Sequence, residues 1–425
     1  MIKIGIIGGS GLDDPNLLQD YSEKEIQTKY GVPSSKITCG KISGIDVCIL
    51  ARHGEKHEIP PSQINFRANI AALKILGCTH IIATSAVGSL KEQIHPGDII
   101  FPDQFIDFTK QRISTFYNEI GNVVHTSLAE PFSQDLRNLL IKSAEELLIN
   151  YHKRATIIVI EGPRFSTKAE SLFFRNFADI IGMTTVPEAC LAKEVEIEYA
   201  PIALSTDYDC WKDDEAPVTF EIVLETMKKN SDKAKQIILK TIQKIALNEL
   251  NNKDTELIKN SIRTVPNWPK QGIMFRDITT LLKNPQALSK TIEIFYNRYK
   301  DKNIEVVAGI ESRGFIFGSL LAGKLNASFV PIRKPGKLPA ETISQEYSLE
   351  YGTDKIEIHK DAIQQGQNIL IIDDLLATGG TAKASAKLIE KVGGKVTGFA
   401  FIIELTELNG MKGINQYNCK SLVKY

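Results

Sequence analysis

Short apolar, β-branched runs alternate with segments of helical period along most of this chain. That alternation constrains the fold more than any other feature. In the first half "KIGIIGG", "DVCILARHG", "HIIATSAVGSL", "GDIIFPDQFI", "ATIIVIEGPRF", "ADIIGMTTVP" and "EYAPIALSTDYD" read as strands, with helical stretches such as "NFRANIAALKILG" and "EACLAKEVEIE" between several of them. Strands buried on both faces and interleaved with helices predict a layered α/β fold, whose functional loops follow the strand C-termini. A helical stretch from Phe220 to about Leu250 gives way to the polar "NELNNKDTE", which reads as a linker with Asp254 or Thr255 as a helix cap. A second α/β pattern follows, with strands at "IEVVAGI", "SFVPIRK", "QNILIIDD" and "KVTGFAFIIEL". At 425 residues the chain exceeds one ordinary core. The pattern divides it near Asn252, into domains 1–250 and 251–425, with no internal repeat.

Formal net charge is zero, with 43% hydrophobic and 24% charged residues, so nothing in the totals favours a nucleic acid or an acidic membrane surface as partner. No run approaches the roughly 18 apolar residues of a membrane span. The six cysteines form no CxxC pair and no zinc-type spacing, which predicts reduced thiols in or near the core. Lys3 and the glycines interrupt "MIKIGIIGGSG" before a signal-peptide core forms, and the expectation is a cytoplasmic protein.

Two Gly-rich turns carry the chemistry. In "NILIIDDLLATGGTAKA" an apolar strand leads to Asp373 and Asp374, and then to Ala377, Thr378, Gly379, Gly380 and Thr381 at the start of an Ala-rich helix. Backbone N–H groups and hydroxyls at such a helix start suit a phosphate. The two carboxylates beside it suit ribose hydroxyls, or a metal bound to them, so the stretch reads as a sugar-phosphate site. The turn alone is also a common strand-to-helix connection; the double Asp makes it specific. The other turn, "GIIGGSG", lacks the GxGxxG spacing of a dinucleotide site and no acidic residue sits convincingly at the end of a second strand. Ser10 on that turn, Arg52 and His53 in "ARHG", and Ser85 and Ala86 in "TSAVGS" instead place hydroxyl and cationic groups on three strand-end loops, which together suit inorganic phosphate.

From these motifs two resemblances follow. The segment from about Asp254 to Tyr425 is similar to the adenine phosphoribosyltransferases, in a type I phosphoribosyltransferase fold. On that resemblance Phe275 of "FRDIT" stacks on adenine, the backbone of Met274 and Arg276 reads its edge, and Ser312 and Arg313 of "GIESRGFIFG" meet pyrophosphate. Arg333, Lys334 and Lys337 of "RKPGKLP" serve the same charge. Glu350 and Tyr351 of "EYSLEYG" form a lid, with Glu350 assisting the proton change at adenine. Residues 1 to about 250 resemble methylthioadenosine phosphorylase, in the trimeric purine nucleoside phosphorylase family, an α/β domain with a mixed central sheet flanked by helices. The resemblance adds Thr184 to the phosphate site, where Ser10 replaces the family's usual Thr. It puts Phe165 and Ser166 in the base pocket and Met183 beneath the ribose, and Phe220, Val223 and Leu224 face the 5′ substituent. Phe220 is larger than the residue usual there, and an apolar trio where nucleoside phosphorylases begin with His suits a methylthio group. His125 in "VVHTSLAEPF" matches a residue lent to a neighbouring subunit.

Asp207 and Asp209 of "TDYD" would accept hydrogen bonds from a 6-amino group and a protonated N7, and repel a 6-oxopurine. Asp207 is the candidate general acid. The resemblances imply two reactions. Methylthioadenosine plus phosphate gives adenine and 5-methylthioribose 1-phosphate, without a metal. Adenine plus phosphoribosyl pyrophosphate then gives AMP and pyrophosphate, with Mg²⁺ on the sugar diphosphate and Asp373 and Asp374 beside it. They also imply a homo-oligomer, trimeric through the first half and dimeric through the second, closing as a hexamer. The alternatives are a purine nucleoside phosphorylase of broader specificity and a second half that only senses phosphoribosyl pyrophosphate. The intact "FRDIT" and "SLEYG" argue against a sensor, and the paired acids and apolar 5′ trio against the broader enzyme.

Overall fold

The computed structural model describes residues 2–8, 18–212, 220–348 and 353–425, and of residues 220–225, 228, 229 and 348 only the backbone. The chain divides into two compact units, Met1–Glu249 and Leu250–Tyr425.

The first unit runs β1 (Lys3–Gly8), β2 (Gln19–Lys24), β3 (Ile37–Ile42), β4 (Ile45–Ala51), α1 (Phe66–Ile75), β5 (His80–Ser89), β6 (Ile99–Ile100), β7 (Gln104–Phe108), α2 (Gln134–Glu146), β8 (Tyr151–His152), β9 (Thr156–Ile160), α3 (Lys168–Phe174), β10 (Ile180–Gly182), α4 (Thr185–Glu194) and β11 (Glu198–Asp207) into α5 (Phe220–Asn260). Its strands form one 11-stranded mixed sheet, ordered β2-β3-β4-β1-β5-β10-β9-β7, with β11 branching from β5 and leading on to β6 and β8. Burial on both faces explains why the central strands read as apolar throughout. Ile7, Leu50 and Ile81 pack with α1 and α4 on one face, while Ile4, Ile6, Ile49 and Ile82 pack with Leu136, Leu140, Ile237 and Ile238 of α2 and α5 on the other. Because β4, β1, β5 and β11 are mutually parallel, Ala51, Gly8 and Asp207 end on one edge of the sheet.

The second unit comprises β12 (Arg263–Pro266), β13 (Met274–Asp277), α6 (Thr279–Leu282), α7 (Pro285–Tyr299), β14 (Val306–Ile310), α8 (Gly314–Leu325), β15 (Ser328–Ile332), β16 (Thr342–Ser348), β17 (Thr353–His359), β18 (Asn368–Leu376), α9 (Gly380–Lys391), β19 (Lys395–Glu404) and β20 (Asn418–Lys424). A five-stranded parallel sheet, β15-β14-β18-β19-β20, carries α8 against Leu370 and Ile372 on one face and α9 against Ile369 and Ile371 on the other. The pairs β12–β13 and β16–β17 are separate antiparallel ribbons.

Three sequence expectations change. The polar stretch after Leu250 is helical: α5 continues to Asn260, so Asp254 and Thr255 lie inside a helix and cap nothing. Asp254 pairs instead with Lys290 at 3.4 Å, and the buried Ile258 anchors this end in the second unit's core. In "ADIIGMTTVP" only Ile180–Gly182 is strand, and the helix starts at Thr185. β2 and β20 carry no clear apolar alternation; all six residues of β2 are exposed, which is why it escaped the pattern. Of the six free cysteines, Cys48, Cys78 and Cys190 are buried and Cys39, Cys210 and Cys419 half-buried. Among the described residues no helix is long and apolar enough to cross a membrane.

Candidate active sites

In the first unit the strand ends converge on a cavity of about 1090 Å³, ample for a nucleoside and an anion. Arg52, His53, Ser85, Ala86, Thr184, Phe165, Ser166, Met183, Asp207 and Asp209 all line it. His125 does not; it sits on an exposed loop. Ser10 lies outside the described residues, as do the side chains of Phe220, Val223 and Leu224.

Arg52 follows β4, and its side chain is only 2% exposed. Glu188 of α4, wholly buried, receives Arg52 Nε at 2.5 Å and Nη2 at 2.9 Å, while Nη1 donates to the Thr84 carbonyl at 2.6 Å. Tyr199 Oη donates to the same Glu188 at 2.9 Å. A bidentate clamp of this kind fixes the guanidinium plane and offsets its charge. His53 has Nδ1 2.8 Å from the Ile59 carbonyl, so that nitrogen carries the hydrogen. Burial, with the neighbouring Arg52 charge, pushes its pKa down to about 4. The ring is therefore neutral near pH 7, and Nε2 is an acceptor suited to the O–H of hydrogen phosphate. The Ser85 and Thr184 hydroxyls are buried without a hydrogen-bond partner among the described residues. Such groups are costly unless a ligand completes them, and an anion would.

The acids sit where β11 ends. Asp207 Oδ2 accepts from Thr206 Oγ1 at 2.6 Å and Oδ1 accepts from the Asp209 N–H at 2.7 Å. Asp209 Oδ2 is buried without a hydrogen-bond partner among the described residues, as is Ser166 Oγ. Burial raises the pKa of both carboxyls. Gly88 of β5 admits Asp207: a Cβ there would stand 2.9 Å from Asp207 Oδ1.

Sequence reasoning missed two residues that hold this cavity's walls. Glu188 lies 136 positions from Arg52, and no local motif joins them. Arg112, its side chain 3% exposed, donates to the carbonyls of Met183 and Val186, each at 2.7 Å, and of Glu161 at 2.6 Å. It thereby fixes the loop that presents Met183 and Thr184. A lone Arg in "TKQRIST" gave no sequence signal of that role.

In the second unit the same strand-end logic gives a more open arrangement. Arg313, after β14, places Nε 2.9 Å from Asp374 Oδ2, an ion pair by distance whose angle is not that of a hydrogen bond. Its guanidinium also lies 5.6 Å from the centre of the Phe275 ring, which meets Trp268 edge-on at 4.3 Å. Met274 is exposed, and the Arg276 side chain turns to Thr264 and stacks on Tyr425 at 3.8 Å. Asp373 Oδ1 accepts from the Asp374 N–H at 2.8 Å. Burial and the Asp374 charge raise the Asp373 pKa, and burial, partly offset by Arg313, raises that of Asp374.

Gly379 takes a left-handed φ of 82° at the N-cap of α9, flanked by the exposed Thr378 and the half-buried Thr381. Gly380 begins the helix and Ala377 precedes the turn. Arg333 pairs with Glu311 at 3.4 Å, Lys334 with Asp354 at 3.6 Å, and the Lys337 carbonyl accepts from Arg333 Nη1 at 3.0 Å. Ser312 is exposed at the start of the β14–α8 loop. Glu350 and Tyr351 lie outside the described residues.

No group of three or more His, Cys, Asp or Glu able to hold a metal occurs among the described residues. The adjacent Asp373 and Asp374 fit a hard cation carried in by a sugar diphosphate, since Mg²⁺ is usually held by one or two carboxylates plus substrate oxygens.

A family model described as the phosphorylase superfamily matches residues 3–243, and one described as a phosphoribosyl transferase domain matches residues 277–424. An S-methyl-5′-thioadenosine phosphorylase of Danio rerio is 51% identical over 249 residues, covering 57% of this chain and 89% of its own. One from Nitrosopumilus maritimus is 52% identical over 57% of this chain and 92% of its own. Among solved structures, a Schistosoma mansoni methylthioadenosine phosphorylase in complex with adenine is 40% identical, with a TM-score of 0.56 over 58% of this chain and 93% of its own.

Proposed function

Residues 3–243 make this chain a member of the phosphorylase superfamily, joined to a phosphoribosyl transferase domain, and from that premise we propose a bifunctional salvage enzyme that converts methylthioadenosine to AMP through adenine. The observation that carries the reading is the convergence of Arg52, Ser85 and Thr184 with Asp207 and Asp209 on one cavity. The names of the relatives favour it over a broader nucleoside phosphorylase.

In the first reaction a phosphate oxygen attacks C1′ while the C1′–N9 bond breaks through an oxocarbenium-like state. The Ser85 and Thr184 hydroxyls and His53 Nε2 orient the phosphate, beside the clamped Arg52. Asp207, with its raised pKa, supplies the proton to N7 that makes adenine a neutral leaving group. Asp209 Oδ2, without a hydrogen-bond partner among the described residues, accepts from the 6-amino group. Phe220, Val223 and Leu224, whose side chains lie outside the described residues, are the ones the resemblance assigns to the methylthio group.

In the second reaction N9 of adenine attacks C1′ of the sugar diphosphate as the C1′–O bond to pyrophosphate breaks, and the ring N–H proton of the base passes to Glu350 or to the departing pyrophosphate. Phe275 stacks the base, Arg313, Arg333 and Lys334 exchange their carboxylate partners for pyrophosphate oxygens, and residues 377–381 cradle the 5′-phosphate. Glu350 and Tyr351, outside the described residues, are the lid residues that the resemblance implies. Mg²⁺, when bound with the substrate, neutralises the leaving group, and Asp373 and Asp374 would hold it or the ribose hydroxyls.

The test is one incubation with methylthioadenosine, phosphate, phosphoribosyl pyrophosphate and Mg²⁺, following AMP. Adenine that accumulates without AMP removes the second activity; no adenine removes the first. A homo-oligomer, with trimers through the first unit and dimers through the second, would bring His125 to a neighbour's site, and monomers at micromolar concentration would dismiss it. A cytoplasmic location, consistent with the unpaired thiols, is checked by fractionation.

A further inference from the structure

Behind the base-reading acids lies a polar cluster that the two reactions leave unused. Tyr208, between Asp207 and Asp209, is 7% exposed and does not line the cavity. Its hydroxyl meets His95 Nδ1 at 2.5 Å. The His95 backbone N–H donates to Asp98 Oδ2 at 2.9 Å, and His152 Nε2 lies 2.8 Å from the same oxygen. The loop carrying His95 is stitched to β11, since the Gly97 N–H donates to the Ser205 carbonyl at 2.8 Å and the Ser205 N–H to the Asp98 carbonyl at 3.0 Å. It is also tied to α5, because Lys233 Nζ donates to the Gly97 carbonyl at 2.9 Å. Asn230 Nδ2 reaches the Ser205 carbonyl at 3.1 Å.

The acidic turn needs such support. Asp209 sits at a φ of 54°, in the left-handed region that L-residues seldom adopt. Its N–H is spent on Asp207, and its Oδ2 has no hydrogen-bond partner among the described residues. A turn that must present two carboxyls to one purine edge gains from a rigid back wall. Tyr208 supplies it, with its ring edge-on to Trp211 at 5.9 Å and its hydroxyl on His95.

We propose that His95 and Tyr208 form a bracket that fixes the Asp207–Asp209 turn and so sets the preference for a 6-aminopurine over a 6-oxopurine. Both are positioning residues and neither touches substrate. The proposal rests on the phosphorolysis reading. It adds that selectivity is held partly by a hydrogen bond outside the cavity.

The experiment compares kcat/KM for methylthioadenosine and its 6-oxo counterpart in the wild type, Tyr208→Phe, His95→Ala, His95→Gln and the double variant Tyr208→Phe/His95→Ala. Tyr208→Phe and His95→Ala should each lose about five- to tenfold on the 6-amino substrate, the net worth of one hydrogen bond, with little loss on the 6-oxo one. The double variant should lose no more than either single one, because the two share one interaction. His95→Gln, which keeps an acceptor, should recover most of the loss. Equal losses on both substrates, additive losses, or unchanged kinetics in Tyr208→Phe overturn the bracket. A wild type that turns over neither nucleoside counts against the phosphorolysis reading instead. Calorimetry with the non-cleavable 7-deaza analogues of both nucleosides, which lack N7, then reads the part of the preference that rests on position 6, and Tyr208→Phe should narrow it.

Discussion

The two units prepare for phosphate in opposite ways. In the first, the Ser85 and Thr184 hydroxyls are buried, without hydrogen-bond partners among the described residues, and the buried cation that lines the cavity beside them, Arg52, is held by Glu188. In the second, Arg313, Arg333 and Lys334 are each already paired with a carboxylate on open strand-end loops. A small free nucleophile needs a dry, pre-shaped pocket in which to shed water. A large polyanion can instead displace ion pairs as it docks, so its site need not be enclosed beforehand.

The contrast is sharpest at Asp207. Replacing it by Asn should lower kcat/KM for phosphorolysis by about 10²- to 10⁴-fold, the usual worth of a general acid, and leave AMP formation from adenine unchanged. Its melting temperature should hold or rise. A carboxyl whose pKa is raised by burial weakens the native state above its unfolded pKa, because the ionised form is the one burial disfavours. A parallel loss in both activities would mean the units do not work separately.

Stability should separate the two clamps. Glu188→Ala leaves a buried guanidinium unpaired and should cost about 3–5 kcal/mol in urea titrations. Asp374→Asn frees an Arg313 that is 41% exposed, and should cost under about 1 kcal/mol. Equal costs would break the comparison.

His53 gives the first unit a pH signature. Its native pKa, about 4, lies below the ordinary value of 6.5, so the unfolded chain binds the extra proton first as pH falls. Stability should therefore decline between about pH 6.5 and pH 4, by up to ~3 kcal/mol. His53→Gln should flatten that limb in thermal melts across pH.

Salt should produce the smallest effect. From about 0.1 to 1 M chloride the Debye length falls from about 10 to 3 Å. The KM for phosphoribosyl pyrophosphate should then rise severalfold, and that for inorganic phosphate less. Initial rates of each half-reaction decide it.

Much of this was legible because strand-end chemistry is local. Arg52–His53, Ser85–Ala86 and the Asp373–Thr381 run each sit within a few residues of an apolar strand, so sequence order and spatial order coincide. Partnerships across the sheet had no such trace: Glu188 with Arg52, and Arg112 with the Met183 loop, depend on the order β1-β5-β10, which local patterns do not set. The polar run after Leu250 misled for a different reason. Its Asn and Asp residues argue for a break, yet Leu257 and Ile258 pack into the second core and tertiary burial overrides propensity.

Gly379 and Gly410 cross so closely that a Cβ on Gly379 would stand 2.4 Å from the Gly410 carbonyl oxygen, and one on Gly410 would stand 2.2 Å from that of Ala377. Neither position can drift alone. In a library built to retune the sugar-phosphate turn, the two glycines therefore have to be treated as one position. A design that varies residues 377–381 while ignoring Gly410 samples only half of the determinant.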